Sequence, residues 1–156
     1  MNSSTKNRDY EGSFVDWGNA ISDDYTWFTP SKDEWDYLIN TRTVNGGTGN
    51  DKSYSFFKYV NGKRGVVIYP DDYTGAAYSD KNWATFEAAG CVFLPAADDR
   101  AGANVHKSNT TAYYWTSTSS DTWYAYSLSF VTNKAEIKPK HYRANGYSVR
   151  LVREVK

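Results

Sequence analysis

Apolar residues recur along this chain at two different periods, and the change of period marks out its elements. In residues 31–41, Trp35, Leu38 and Ile39 fall at i, i+3 and i+4, the stripe of a helix that buries one face. Ser31 followed by Glu34 is a capping box, and Asp33 and Glu34 suit the positive end of that helix. A second helix is predicted with Ser79 as N-cap, Trp83 and Phe86 on one face, and Gly90 as its stop. Elsewhere the pattern is that of strands. Residues 53–60 and 63–69 flank Asn61-Gly62, a pair that accepts the positive φ angles of a type I′ hairpin turn. Val66-Val67-Ile68 and residues 91–94 are continuous apolar runs, expected to be buried on both faces and ended by Pro70 and Pro95. Four more strands are predicted at 113–118, 125–130, 135–138 and 147–153. In the last, Val149, Leu151 and Val155 alternate with Arg150, Val152 and Glu154. Residues 44–51 and 98–111 read as loops, and residues 1–13 as a flexible lead-in. The expectation is a single α+β domain over 14–156, two short helices with small, twisted, mainly antiparallel sheets.

Composition narrows the function classes. The 156 residues include 7 Phe, 6 Trp and 14 Tyr against a mean hydropathy of −0.73, so few but large side chains must build the core. Eighteen basic and eighteen acidic residues cancel, which argues against a nucleic-acid partner and against docking on an anionic membrane. No apolar run reaches the roughly 18 residues of a membrane span, so direct membrane insertion is not expected. The opening MNSSTKNRDYEGS has no apolar stretch and does not read as a signal peptide. The single cysteine, Cys91, excludes an internal disulfide and a multi-cysteine zinc site, and between Gly90 and Val92 it reads as a small buried hydrophobe. With only His106 and His141 available, a histidine-based metal site is not expected, and no cofactor is.

The most informative stretch is 108–133, where 14 of 26 residues are Ser, Thr or Asn, 7 are aromatic and Asp121 is the only charge. Binding loops favour this mixture, because rigid rings supply contact area and small polar groups adapt to a partner. Thr, Tyr and Trp are equally good strand formers, so composition leaves both readings open. Asp71-Asp72 and Asp98-Asp99 are the remaining carboxylate pairs. A sugar hydrolase needs two carboxyls about 5–10 Å apart across its substrate. A calcium ion would also take such groups, and Asp beside Pro is ordinary turn chemistry. Lys134, Glu136 and Lys138 fall on one strand face and, with Lys140 and Arg143, give the tail a positive bias.

FVDWG (14–18), TPSKDEWDYL (29–38), NGKRGVVIYPDDY (61–73), FEAAGCVFLPAA (86–97), YYWTST (113–118), AYSLSF (125–130) and GYSVRLVR (146–153) follow one another in a recognisable order. Together they resemble C-type-lectin-fold domains of the formylglycine-generating-enzyme-like branch, and within it the variable proteins of bacterial diversity-generating retroelements. The resemblance covers about residues 14–153. It implies a C-type lectin fold whose ends lie close together and whose C-terminal part, about 108–150, displays a ligand-binding surface rewritten by mutagenic copying. Carried onto this chain, the scaffold would include Tyr114, Trp115, Ser117, Thr118, Ala125, Tyr126, Leu128, Phe130, Gly146, Tyr147, Ser148, Val149 and Arg150. The displayed, ligand-binding positions would be Ser120, Asp121, Thr122, Trp123 and Tyr124, then Ser129, Val131 and Asn133, then Lys140, His141, Tyr142, Arg143 and Asn145.

The departures are informative. The formylglycine-generating enzymes use reactive cysteines near the end of the domain, and this chain has none there. The Glu-Pro-Asn, Gln-Pro-Asp and Trp-Asn-Asp triplets of calcium-dependent sugar binding are also missing. The resemblance therefore implies a non-catalytic recognition domain at a bacterial or phage surface or outside the cell, possessing no metal site and binding a protein or a glycan. Trp123, Tyr124 and Tyr142 would be its apolar anchors, with Asp121, His141 and Arg143 supplying polar selectivity. The alternatives are a fixed structural or pilus-tip-like adhesion domain, and a carbohydrate-active enzyme built on the Asp pairs.

Overall fold

A computed structural model describes residues 15–44, 53–97, 99–107, 110–132 and 134–153. Residues 1–13, most of the 44–51 loop, Asp98, Asn133 and the pair Glu154 and Val155 lie outside them. The fold is α+β, with a few short helices and four small antiparallel sheets among the described residues. In chain order the elements are a 3₁₀ turn (Trp17–Ala20), β1 (Trp27–Phe28), α1 (Lys32–Asp36), a π-helical turn (Tyr37–Thr41), β2 (Tyr54–Val60), β3 (Lys63–Ile68), α2 (Trp83–Ala88) and β4 (Val92–Pro95). There follow β5 (Asp99–Ala101), β6 (Asn104–His106), β7 (Thr111–Ser119), β8 (Tyr124–Val131), β9 (Lys134–Tyr142), β10 (Asn145–Gly146) and β11 (Val152–Arg153). The sheets run β2-β3-β4, β7-β8-β9, β10-β5-β6 and β1-β11.

The capping box forms as predicted, Ser31 Oγ accepting from Glu34 N and Glu34 Oε2 from Ser31 N. Trp35 and Ile39 are buried in one core cluster with Tyr54 and Phe57 of β2, Val66 and Ile68 of β3, Leu94 of β4, and Ala112, Tyr114, Leu128 and Phe130 of β7 and β8. The helix predicted over 31–41 does not stay α-helical, however. From Tyr37 it widens to a π turn closed by Arg42 N donating to Tyr37 O, and the extra residue turns the Arg42 side chain inward. There its guanidinium donates to the carbonyls of Leu38 (2.6 Å), Ser53 (3.2 Å) and Tyr69 (2.5 Å) and to Asp71 (2.7 Å).

The Asn61-Gly62 hairpin is present, with φ of 48° and 75°. β3 lies between two strands and is buried on both faces, Val66 and Ile68 toward one core cluster and Val67 toward the other. β4 departs from its prediction. As the edge strand of that sheet it buries Leu94 but leaves Val92 exposed, and Cys91, just before it, is buried. The second helix starts four residues after the predicted Ser79 cap. Asp80 accepts a hydrogen bond from Tyr59 N at 2.8 Å, which holds this segment on β2, and the helix begins only after Asn82. Gly90, at φ 84°, ends it as predicted.

Two further predictions are corrected. Residues 98–111, read as loop, contain the β5–β6 hairpin. The strand predicted over 147–153 is broken up: Ser148 makes an isolated bridge to Tyr114, only β11 pairs as a strand, with β1, and the pairing of β10 with β5 falls just before the predicted start. β9 is longer than predicted and runs through Pro139. Proline is tolerated there because β9 is an edge strand and the register shifts between Ala125 and Ser127, opposite Pro139 and Lys140.

Candidate functional site

The β7-β8-β9 sheet has two different faces. Ala112, Tyr114, Leu128, Phe130, Ala135 and Ile137 point into the core, so strand alternation puts Tyr113, Trp115, Ser127, Ser129, Glu136 and Lys138 on the other side. Tyr147 stacks there between Tyr113 (ring centroids 4.8 Å apart) and Trp115 (4.6 Å). His141 stands edge-on to Tyr113 and Tyr147 at 5.5 and 5.2 Å. Glu136 is paired with both Lys134 and Lys138, which hold its carboxyl below the usual carboxylate range. Ser127 and Ser129 are wholly buried, so Ser129, expected on display, is only 1% exposed and contributes to no surface.

His141 Nδ1 lies 2.5 Å from Ser127 Oγ. Ser127 has no exposed surface, so the pair holds the imidazole in place and offers no accessible nucleophile. Burial, and then the Lys138 charge, lower the His141 pKa from its ordinary 6.5, with Asp99 opposing them. Burial also pushes the Tyr147 phenol up to about 12 and raises that of Tyr113. A histidine with a depressed folded pKa contributes stability that is fully present above 6.5 and is lost as pH falls through the folded value. Thermal unfolding midpoints should therefore fall as pH drops below 6.5, and less steeply in His141→Gln. Parallel curves for the two proteins would assign the acid sensitivity to other groups.

At the sheet end where β7 passes into β8, two of the predicted segments meet. The 120–123 loop is closed by Ser120 N and Asp121 N, both donating to Tyr124 O at 3.1 Å. Asp121 Oδ1 accepts from Trp123 N (2.7 Å) and Tyr124 N (2.8 Å). Across from it, Arg143 N donates to Trp123 O at 3.1 Å, Arg143 Nε donates to Tyr124 O at 3.3 Å, and its Nη2 donates to Ser119 Oγ. Tyr124 and Tyr142 face each other as a cross-strand pair with centroids 4.8 Å apart, and the hydrogen bond that the Tyr124 hydroxyl donates to Tyr142 raises the Tyr124 phenol pKa. Trp123 is 38% and Tyr142 54% exposed, with Thr122 and Lys140 exposed beside them. Ser120 and His141 are half-buried, as is Asn145, whose Nδ2 donates to the Tyr147 hydroxyl at 3.1 Å.

Not every predicted position joins this end. Val131 is exposed, but it lies seven residues along β8 from Tyr124, about 23 Å away at strand rise. Asn133 falls outside the described residues. Among the carboxylates, Asp71 is held by Arg42 and Asp99 by His106 at 3.0 Å. No cluster of three or more His, Cys, Asp or Glu side chains occurs among the described residues. Cys91 is buried, which pushes its thiol up to about 11.

The ring cluster around His141 was only partly legible. The i, i+2 spacing of Tyr113 and Trp115 places both on one strand face, but Tyr147 and Asp99 arrive from elsewhere in the chain. Comparison of the chain with protein-family models, curated proteins and solved structures gives no match. No helix among the described residues is long and apolar enough to cross a membrane.

Proposed function

We propose that this chain is a non-catalytic ligand-binding domain with a C-type lectin fold, related to the variable proteins of diversity-generating retroelements. It binds a protein or glycan partner at a bacterial or phage surface. The observation that carries the reading is the meeting of residues 120–124 with residues 140–143 at one sheet end, where Trp123 and Tyr142 turn substantial ring area to solvent. Exposed rings on a built rim are the groups that dominate binding energy at recognition surfaces. The pairing of β1 with β11, which brings residues 27–28 beside residues 152–153, accords with the same fold.

Codon-resolved sequencing of the gene across a population of its host tests the proposal. Substitutions should concentrate within 120–124 and 140–145 while 14–97 stay constant. A flat distribution would return the chain to a fixed adhesion or structural domain.

A further inference from the structure

We infer that Asp121 and Arg143 are positioning residues that build the rim before any ligand arrives, leaving ligand contact to Thr122, Trp123, Lys140 and Tyr142. The inference rests on the proposed binding role of this sheet end and changes the parts that two of its polar residues play. One Asp121 carboxylate oxygen takes two backbone N–H groups of the loop it belongs to, at 2.7 and 2.8 Å. This is the turn geometry that short carboxylate side chains stabilise. Arg143 joins three pieces of chain. Its backbone N–H and Nε reach the carbonyls of Trp123 and Tyr124, and its Nη2 reaches Ser119 at the end of β7. A planar guanidinium can hold several acceptors in a fixed arrangement, and a lysine cannot. Both side chains are thus committed to the loop, whereas the rings of Trp123 and Tyr142 stand at its exposed edge. A rim fixed in advance loses less conformational freedom on binding, so its affinity does not depend on the ligand ordering it.

Amide hydrogen exchange on the free protein tests this. In Arg143→Ala and in Asp121→Ala, the amides of Ser120, Asp121, Trp123, Tyr124 and Arg143 should exchange about tenfold faster or more, the effect of losing charge-assisted hydrogen bonds. The amides of the β7-β8 ladder, such as Leu128 and Phe130, should stay slow. Asp121→Asn should remain near wild type, because its amide oxygen can accept the same two bonds. Arg143→Lys should fall between wild type and Arg143→Ala. Unchanged loop exchange in the alanine variants would overturn the assignment, and so would equal acceleration of the ladder, which would make the two residues general stabilisers. Asp121→Asn exchanging as fast as Asp121→Ala would remove Asp121 from it. Since no ligand enters the experiment, its failure leaves the binding proposal standing, and a flat codon distribution leaves the rim brace standing.

Discussion

Replacing Arg42 with methionine should lower the unfolding free energy by about 3–5 kcal/mol, read as a drop in the urea midpoint at unchanged slope. The guanidinium is 4% exposed, and it supplies donors to the buried carbonyls of Ser53 and Tyr69 and to the partly buried carbonyl of Leu38. Methionine fills much of the same volume but takes one donor from each carbonyl, leaving Ser53 O with Tyr69 N as its donor, and each buried polar group left unpaired costs about 1–3 kcal/mol. Asp71, the fourth partner, is 66% exposed. Asp71→Asn should therefore cost no more than about 1 kcal/mol, as for an ion pair whose acid end is solvated. The contrast separates two accounts of Arg42. If the ion pair were the source of its effect, the two variants would be alike. If the carbonyls are, as the geometry requires, Arg42→Met is the far worse variant, and a loss under 1 kcal/mol there would refute this.

The second large effect is on binding. Trp123→Ala and Tyr142→Ala should each weaken association with a ligand recovered from a glycan array or a displayed protein library by about 2 kcal/mol or more, roughly thirtyfold. Unfolding free energy should move by no more than about 0.5–1 kcal/mol, because both rings stand at the exposed edge of the sheet. Leu128→Ala is the opposing control. That side chain has no exposed surface and lies in the principal core cluster, so its truncation should cost about 2–5 kcal/mol of stability. Titration by calorimetry and urea unfolding on the same samples give both quantities. Trp123→Ala behaving like Leu128→Ala would make the ring a core residue and remove the main support for the binding proposal.

Local signals in the sequence were reliable wherever a residue and its partner lie a few positions apart. The capping box needs only Ser31 and Glu34, and the hairpin turn needs only Asn61 and Gly62 with strands on either side. The Val66-Val67-Ile68 run marked a doubly buried strand because β3 has a sheet neighbour on each side and core clusters on both faces. The same pattern failed for residues 91–94, where periodicity cannot distinguish a central strand from an edge strand. It also missed the β5–β6 hairpin, whose residues are polar and mostly exposed and carry no alternation to read. The π turn escaped for another reason. Its apolar spacing is that of an α-helix, and what distinguishes it is a buried guanidinium with acceptors from Ser53, just before β2, and Tyr69, just after β3.

By itself the sequence determined the α+β class, the principal core side chains Trp35, Leu128 and Phe130, and the 108–133 stretch as the region richest in binding-type residues. These depend on side-chain type and short-range period, which the chain carries with it. Only the tertiary structure decided that residues 120–124 meet 140–143, that Ser129 is buried, and that Val131 stands at the far end of its strand. It also gave Arg143 its three partners, which lie nineteen to twenty-four positions away along the chain. Such contacts are set by strand register and by the bulge opposite Pro139. A one-residue slip in that register would send every side chain of β9 to the opposite face.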